Sequence, residues 1–543
     1  MQTRRIVGVG MLISGLLAGV TQAATSASAP PPRGGTITIG ELGGLPGLDP
    51  IGQTFGYPEA GGIELAAIYD TLMRFDPDAG VYEPQLAAGL EPNDDFSEWT
   101  LSLRPDVTFT DATMLDAEAV RASILRHTDP SARSAYRAAI GEFVQEMSVA
   151  DPLTLVFTLA KPWSGFPVML ASTVGMITSP TAVEAAGEDF ATSPGGAGAG
   201  PFMVDSFKPG EDLTLVRNPD YHGGEAPLDG LRFVLLNNGD PSSAFEALES
   251  GTLTAAVVRD PQTVADAAEG GYQSIEQLQS AAQVLLMNSG IVVTCSQGLP
   301  EGLCADQPDG TEVPTETATS DVRVRRAVAA AIDVDVVNDR TFAGTALAGS
   351  ALFPEGFRWT PDVAGPSYDP DEARRLVEEA KADGWDGVIR VLASTRSDHT
   401  QIGLTVQAQL EAVGMQVELD NTRDFAAELQ QVTVAKDFDL ATYSLAYNEN
   451  ADGIFIQMSA TFNNARFGYT SPEMVDAVDA LRLATNDDEI TAALGGIQEI
   501  WTRDVPAAVL LATPGPWISA PELRGVMATA SGNVLLDEAW IEQ

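Results

Sequence analysis

Two polar segments in the second half of the chain carry side chains suited to holding a small charged molecule. Arg396 stands in the first segment, and a guanidinium group can grip a carboxylate through two parallel hydrogen bonds. An exposed ion pair between Arg396 and Asp398 is the alternative interpretation. The second segment contains Asn448, Asn450 and Asp452, whose amide and carboxylate groups can bind a polar or cationic partner. These two segments are therefore the first candidates for a binding site.

Both segments follow predicted β-strands, which determines where they would lie in a folded sheet. Apolar runs predict strands over residues 388–393, 415–419 and 438–446, with helices over 400–413 and 424–434 between them. Strands and helices that alternate in this way indicate a mostly parallel α/β region. Because such sheets bind ligands at the carboxyl ends of their strands, both polar segments should lie at that edge.

The spacing in the second polar segment also imitates a calcium-binding loop. Asn448, Asn450, Asp452 and Gly453 follow the alternate-position pattern of such a loop. Its twelfth position, however, is Ser459 and not the glutamate that binds calcium through both oxygens. The sequence therefore predicts no metal here.

Catalytic chemistry finds little support in the sequence. The chain has no G-x-S-x-G turn and no H-E-x-x-H motif, and His127, His222 and His399 are scattered. These histidines and the two cysteines also lack the spacing of a zinc site. Carboxylate pairs stay open as an alternative in so acidic a chain, but we expect no enzyme, no cofactor and no metal.

The charge balance excludes one class of partner. The 543-residue chain has 76 acidic and 30 basic residues, a formal net charge of −46. Binding of nucleic acid demands clustered positive charge, so we exclude that function. The acidic residues are spread along the chain, which is typical of a solvated surface; attraction of a cationic solute is the second interpretation. A chain this long also exceeds one hydrophobic core and should form several domains.

The N-terminal residues and the cysteines indicate export. Residues 1–29 place Arg4 and Arg5 before an apolar run and end in small residues, which is the pattern of a secretory signal peptide. No later segment is apolar over a length that would span a membrane. Cys295 and Cys304 are the only cysteines, and we expect them to form one disulfide in an oxidising compartment. The sequence therefore predicts a periplasmic protein.

Local patterns predict several further elements. Alternating apolar residues over 99–103 predict a strand, and residues 107–109 should return beside it as the second strand of a hairpin. Asp116 should cap the helix that follows. Ser320 and Asp369 should cap two later helices, the second of which begins with proline.

Three segments of the chain resemble the extracellular solute-binding proteins of peptide-type ABC importers, family 5. These segments are residues 68–127, the motif Arg217-Asn218-Pro219-Asp220-Tyr221 and the pattern from Asp321 to Ala327. The resemblance implies an α/β protein with the two-lobed periplasmic binding protein fold (type II, cluster C). It further implies a receptor that captures an oligopeptide or peptide-like solute between its lobes and delivers it to a membrane permease.

The same resemblance sets the expected domain boundaries. The main subdomain of lobe I is predicted over residues 34–69, 194–283 and 505–543, an extra subdomain of that lobe over 70–193, and lobe II over 284–504. A hinge should join the two lobes. We expect a monomer whose partners are the solute and the permease of an ABC importer.

At the second polar segment the chain departs from the pattern of peptide-binding members. Leu445 stands where those members have a tryptophan, and Asn448 stands where they have an aspartate that pairs with the ligand's α-amine. Glu449 or Asp452 could supply a displaced charge, and Arg396 matches an arginine that binds the ligand's carboxylate. The alternatives to a peptide-like solute are a sugar, an opine-like conjugate or a metal chelate. A chemoreceptor or chaperone role on the same fold is a further alternative.

Aromatic side chains and one asparagine complete the predicted site. Aromatic residues bury a large area without requiring a polar partner, and Asn288 ends a predicted buried strand over 284–288. By the resemblance, this strand crosses between the lobes, so the Asn288 amide could bind solute from the hinge. The aromatic candidates for ligand contact are Tyr57, Tyr447 and Trp517, with Trp359 and Tyr443 as further candidates.

Overall fold

Two lobes, each with its own β-sheet, make up the described part of the chain. A computed structural model describes residues 31–41, 45–52, 62–129, 134, 136–236, 241–258, 260–275, 278–295, 304, 307–445, 447–459, 466–513, 517–529 and 533–542. The predicted signal peptide, residues 1–29, and the candidate Tyr57 lie outside these residues. Among the helices that are described, none has the length and apolar character needed to cross a membrane.

Lobe I is built on a seven-stranded sheet that draws on both ends of the chain. The strand Thr36–Glu41 lies inside this sheet and is parallel to both of its neighbours. The carboxyl ends of three parallel strands therefore share one edge of lobe I. In sheet order, the strands are Gln273–Ile275, Trp517–Ser519, Ala255–Val257, Thr36–Glu41, Gly230–Leu235, Asp212–Arg217 and Phe202–Lys208.

An extra subdomain of lobe I carries an antiparallel four-stranded sheet. The predicted strand over 99–103 is confirmed, with Trp99, Leu101 and Leu103 buried. The predicted hairpin is wrong, because this strand pairs on both sides with other segments. Residues 107–109 instead close a local turn in which the Phe109 amide donates to the Thr113 carbonyl. In sheet order, the strands are Ala87–Pro92, Glu98–Leu103, Thr154–Leu159 and Val144–Asp151.

Lobe II contains a six-stranded sheet that is only partly parallel. The strand Val388–Ser394 is parallel to both of its neighbours, as the alternation of strands and helices predicted. The remaining pairs are antiparallel, because the strands Gln279–Met287 and Leu347–Ala348 run opposite to the other four. In sheet order, the strands are Leu347–Ala348, Ala507–Thr513, Gln279–Met287, Leu440–Tyr443, Val388–Ser394 and Gln416–Arg423.

The sheets place the crossings between the lobes away from the predicted boundaries. We call Gln279–Met287 the crossing strand and Ala507–Thr513 the return strand. Both belong to the lobe II sheet over their whole length, whereas residues 273–275 and 517–519 belong to lobe I. The predicted boundaries at 283/284 and 504/505 stay a prediction, and from the sheet membership of the two strands we propose instead that lobe II begins by residue 279 and includes residues up to 513. An apolar pattern identifies a buried strand but not the sheet that it joins.

Helices cover both sheets, and their first turns follow the predicted chemistry in most cases. Asp116 and Asp369 are confirmed as caps, since each carboxylate accepts from backbone amides of the following turn. The cap predicted at Ser320 is wrong by one residue, because Asp321 accepts from the Arg323 amide. The described α-helices are Gly62–Tyr69, Ala117–Arg126, Arg137–Phe143, Pro167–Leu170, Pro180–Ala186, Pro241–Glu249, Pro261–Glu269, Val322–Ala331, Val334–Phe342, Pro370–Ala382, Ser397–Ala412, Phe425–Gln430, Ala451–Met458, Pro472–Leu483 and Asp487–Asp504.

Short two-stranded ladders complete the description. They connect surface segments and add no strand to the three larger sheets. The pairs are Met73–Asp76 with Val81–Pro84, Val292–Thr294 with Glu312–Pro314, Leu523–Arg524 with Trp540–Ile541, and Met527–Ala528 with Val534–Leu535.

The extra subdomain packs directly on lobe II through aromatic side chains. Phe455 of lobe II packs against both Phe143 and Trp163 of the extra subdomain, with ring centroids 5.3 and 5.2 Å away. Beside this contact, the Ser164 hydroxyl donates to backbone carbonyls of Arg482 and Ala484. The lobes are therefore in contact away from the hinge as well as through it.

The disulfide lies in the surface insertion between the crossing strand and the helix Val322–Ala331. Cys295 and Cys304 are bonded, with their Cα atoms 5.4 Å apart, beside the ladder of Val292–Thr294 and Glu312–Pro314. Because the bridge closes a loop of about ten residues, replacing both cysteines by serine should lower the free energy of unfolding by about 2 to 3 kcal/mol. Urea denaturation of the two proteins measures this difference. Equal midpoints would show that the bridge does not constrain the unfolded chain.

Candidate ligand-binding site

The hinge consists of two strands that run side by side between the lobes. Gln279, at the start of the crossing strand, pairs with Thr513 at the end of the return strand. Next to this pair, Ser280 exchanges backbone hydrogen bonds with Tyr447, at 2.9 and 3.1 Å. The second polar segment predicted from sequence therefore lies against the hinge, at the carboxyl edge of the lobe II sheet.

Buried polar atoms without hydrogen-bond partners mark this region. Among the described residues, they include the Tyr447 hydroxyl, Oδ1 of Asn448, Nδ2 of Asn450 and Nε2 of Gln279. A buried polar group that lacks a partner costs about 1 to 3 kcal/mol. Burial also raises the pKa of Tyr447 to about 12, against the opposing charge of Arg466. These groups can hydrogen-bond a molecule that enters between the lobes.

The structure gives Asp452 and part of Asn450 a different role from the predicted one. Oδ1 of Asn450 accepts from the Gly453 amide as a helix cap and from the Tyr82 hydroxyl of the extra subdomain, at 2.9 and 3.0 Å. The Asp452 carboxylate packs on Gly165 of the extra subdomain, where any Cβ would collide with it. Burial raises the pKa of Asp452 to about 6, although the Tyr82 hydroxyl favours the charged form. Asp452 therefore takes part in the contact between the lobes, and its contact with solute stays a prediction.

Arg396 lies where the first polar segment was predicted, immediately after the strand Val388–Ser394. Its Nε and Nη2 atoms donate to both oxygens of Asp398, at 3.1 and 2.7 Å. Its guanidinium carbon lies 5.1 Å from the ring centroid of Phe425. The side chain is half-exposed, and the bonds to Asp398 hold its Nε–Nη2 edge without using Nη1.

Two other predicted contacts, Asn288 and Trp517, differ in whether the fold uses their polar atoms. Asn288 ends the crossing strand, but its Oδ1 accepts from three groups and its Nδ2 donates to the Lys436 carbonyl at 2.9 Å. The fold thereby uses both atoms of this amide, and its contact with solute stays a prediction. Trp517 begins the first lobe I strand after the return strand and is 2% exposed. Its indole N–H is buried without a partner.

The further aromatic candidates are divided between the core and the neighbourhood of the hinge. Trp359 is buried and donates its indole N–H to Asp487 at 2.9 Å, so it is a core residue. Tyr443 is half-buried at the end of the strand Leu440–Tyr443, four residues before Tyr447. Of these two, only Tyr443 stays a candidate for ligand contact.

Sequence reasoning missed two buried carboxylates in lobe I. Glu41 ends the strand Thr36–Glu41 and Glu64 lies in the first turn of the helix Gly62–Tyr69, and both are buried. The signal that could have found them is present in the sequence. Glu41 falls on the apolar face set by Ile37 and Ile39, and Glu64 interrupts an otherwise apolar helix.

A two-lobed molecule with a two-strand hinge and unpartnered polar groups beside it has the architecture of a type II periplasmic binding protein. The model of the bacterial extracellular solute-binding proteins, family 5, middle region, matches residues 81–466. The chain belongs to this family. The predicted fold class and family are thereby confirmed.

Individual relatives are distant in sequence but close in fold. The glutathione-binding protein GsiB of Salmonella paratyphi A is 24% identical over 357 residues, which are 65% of this chain and 63% of that protein. The dipeptide-binding protein of Pseudoalteromonas sp. SM9913, solved with Met-Leu, has a TM-score of 0.76 at 16% identity and covers 94% of this chain and 100% of its own. AgaA from A. tumefaciens R10, solved with agropinic acid, has a TM-score of 0.73 at 21% identity, with coverage of 94% and 99%. The match thus spans less than two thirds of the glutathione-binding protein.

Proposed function

We propose that this protein is the periplasmic receptor of an ABC importer and that it captures a peptide-like solute between its lobes. The observation that carries the proposal is the group of unpartnered polar atoms beside the two-strand hinge, including those of Tyr447 and Asn448. Lobes that close around a solute would satisfy these atoms, and closure would signal the loaded state to a permease. The membership in a family of binding proteins supports the same role, with no reaction catalysed.

The proposed solute class depends on the residues that stand where peptide-binding members hold the ligand's α-amine. Asn448 offers a neutral amide, and Asp452 is occupied by the extra subdomain. A peptide whose amine is bound elsewhere, or an opine-like conjugate, therefore fits this segment better than a peptide bound through Asn448. The relatives solved with Met-Leu and with agropinic acid show that one fold accommodates both classes.

Mass spectrometry of the molecules released on denaturation tests the proposal directly. We expect protein purified from a periplasmic extract to release a peptide or a conjugate of an amino acid. The same compound, added back to the emptied protein, should reduce the radius of gyration measured by small-angle X-ray scattering. A protein that releases no such molecule, and does not close with peptides, opines or sugars, would contradict a receptor function and favour a chaperone role.

Arg396 is proposed to bind a carboxylate of the solute through Nη1, the guanidinium nitrogen that its bonds to Asp398 leave unused. Asp398 and Phe425 hold the guanidinium group in place, so little side-chain entropy is lost when a carboxylate binds. Arg396→Ala should weaken binding of a carboxylate-bearing solute about 10- to 100-fold, the range expected for a charge-assisted pair. Isothermal titration calorimetry with the released solute measures this change.

Arg423 offers a matched control for this experiment. It ends the neighbouring strand Gln416–Arg423, is likewise half-exposed and donates to Asp420 at 2.9 Å. Arg423→Ala should leave the affinity unchanged. If Arg396→Ala behaves in the same way as the control, Arg396 is a surface residue paired with Asp398 and has no role in binding.

A further inference from the structure

Two glutamates of lobe I face each other inside the protein with no cation beside them. Glu41 and Glu64 are 4% and 1% exposed. Oε1 of Glu41 and both carboxylate oxygens of Glu64 have no hydrogen-bond partner. Within the part of the chain that the structure describes, neither residue forms an ion pair with a lysine, arginine or histidine. Buried carboxylates are normally paired or hydrogen-bonded, because an unpaired buried charge is costly.

The pair lies at the ligand-binding edge of the lobe I sheet. Glu41 is the last residue of the strand Thr36–Glu41, whose two neighbours are parallel to it. The carboxyl ends of parallel strands form the edge at which such sheets bind ligands. The same edge carries the connection to lobe II, since Trp517 opens the lobe I strand that follows the return strand. The two carboxyl groups are therefore on the side of lobe I that faces the hinge.

Trp517 provides a second, independent unpartnered polar group at this place. The strand register pairs Gly40 with Ala256 and Val257 with Trp517, so Glu41, Val257 and Trp517 lie in one row across three strands. Residues in such a row project from the same face of a sheet. The buried indole N–H of Trp517 has no partner, and its backbone lies about 10 Å from that of Glu41, two strand spacings away. Unpartnered acceptors and an unpartnered donor thus share one face.

The fold alone does not satisfy these groups. Two carboxyl groups can hydrogen-bond to each other only when one of them holds a proton. Burial, followed by the neighbouring Glu64 charge, raises the pKa of Glu41 well above its ordinary value, and burial also raises the pKa of Glu64. One proton shared between Glu41 and Glu64 would join two of the three oxygens and leave the third, together with the Trp517 indole N–H, without a partner. A metal ion is not favoured, because the described residues contain no group of three or more metal-ligating side chains.

We propose that Glu41 and Glu64 form the subsite for a positively charged group of the solute, an ammonium or guanidinium group. The three unpartnered oxygens match the three N–H donors of an ammonium group, and both carboxylates can neutralise its charge. The Trp517 N–H would donate to an acceptor of the same solute. This inference rests on the proposed receptor function and moves the cation site to lobe I, across the hinge from Asn448.

A peptide panel tests the subsite even before the native solute is identified. The probes are tripeptides supplied in pairs, each with a free amino terminus and as its N-acetyl derivative, with neutral or lysine-containing side chains. Emptied wild-type protein is dialysed against the mixture, and retained peptides are quantified by mass spectrometry. We expect free-amine or lysine-containing members to be retained at least tenfold better than the matched N-acetylated neutral members.

The double variant Glu41→Gln/Glu64→Gln should lose this preference at least tenfold while it keeps the neutral members. Asp70→Asn is the control, because Asp70 is a buried carboxylate of the same lobe whose partners are Tyr221, Gln85 and His222. This variant should keep the wild-type preference. If the double variant does not fold, the comparison of free and acetylated peptides on wild-type protein still decides the question.

The outcomes separate the subsite from the receptor function. The wild-type protein could retain the N-acetylated neutral peptides as well as it retains the matched cationic peptides. That result would overturn the cation subsite and leave the receptor function intact. An unchanged preference in the double variant would also overturn it, since the cation would then bind elsewhere. Retention of no peptide by the wild-type protein would count against the peptide-receptor function itself and, with it, against the subsite.

Discussion

Replacing Phe455 by alanine is expected to lower the free energy of unfolding by about 3 to 5 kcal/mol and to open the two lobes. Phe455 is 2% exposed, and a fully buried phenylalanine costs this much when it is truncated. Its ring contacts Phe143 and Trp163 of the extra subdomain, so the loss falls on the contact between the lobes. Since the proposed function has the solute bound by the closed arrangement, the apparent affinity should fall at least tenfold.

Urea denaturation measures the first effect, and small-angle X-ray scattering of the solute-free protein measures the second. Phe202→Ala is the matched control, since Phe202 is equally buried but lies in the lobe I sheet and makes no contact between the lobes. The control should lose a similar amount of stability without a change in the radius of gyration. Equal radii for the two variants would show that Phe455 stabilises lobe II alone.

The two-lobed fold followed from the resemblance to family 5, whereas single elements were predictable because their local signals do not depend on tertiary contacts. Alternation over 99–103 and capping by Asp116 and Asp369 arise from a few neighbouring residues, and the structure confirms them. The prediction that residues 107–109 pair with the strand over 99–103 was wrong, because distant segments pair with that strand instead, here residues 87–92 and 154–159. Patterns along the chain identify elements more reliably than they identify partners.

The site was less predictable, because a polar side chain near a hinge can hydrogen-bond either to the protein or to a solute. Asn288 has the right position, but the loop that follows the crossing strand occupies its amide. Asp452 has the right charge, but the extra subdomain, nearly 300 residues earlier in the chain, covers its carboxylate. Glu41 and Glu64 were overlooked, because acidic residues in apolar segments were attributed to a solvated surface. Only the assembled structure shows which polar atoms lack a partner.

Asp452 should make the stability of the protein fall as the pH rises from about 4 to about 6. Burial against Gly165 raises its pKa from 3.8 to about 6, so the folded state binds this proton more tightly than the unfolded state does. The uncharged carboxyl group is accommodated at no electrostatic cost below about pH 4. Above about pH 6 the folded state buries a charge, and a shift of about two pH units corresponds to about 3 kcal/mol.

Asp452→Asn removes this charge while it keeps the size of the side chain and an acceptor for the Tyr82 hydroxyl. We therefore expect the variant to match the wild type below pH 4 and to exceed its free energy of unfolding by up to about 3 kcal/mol at pH 7. Urea denaturation at half-unit steps of pH measures the difference between the two proteins, so the titration of other carboxylates cancels. Asp106→Asn, at an exposed position of the extra subdomain, should give no such divergence. Parallel curves for wild type and Asp452→Asn would mean that water reaches this carboxylate between the lobes.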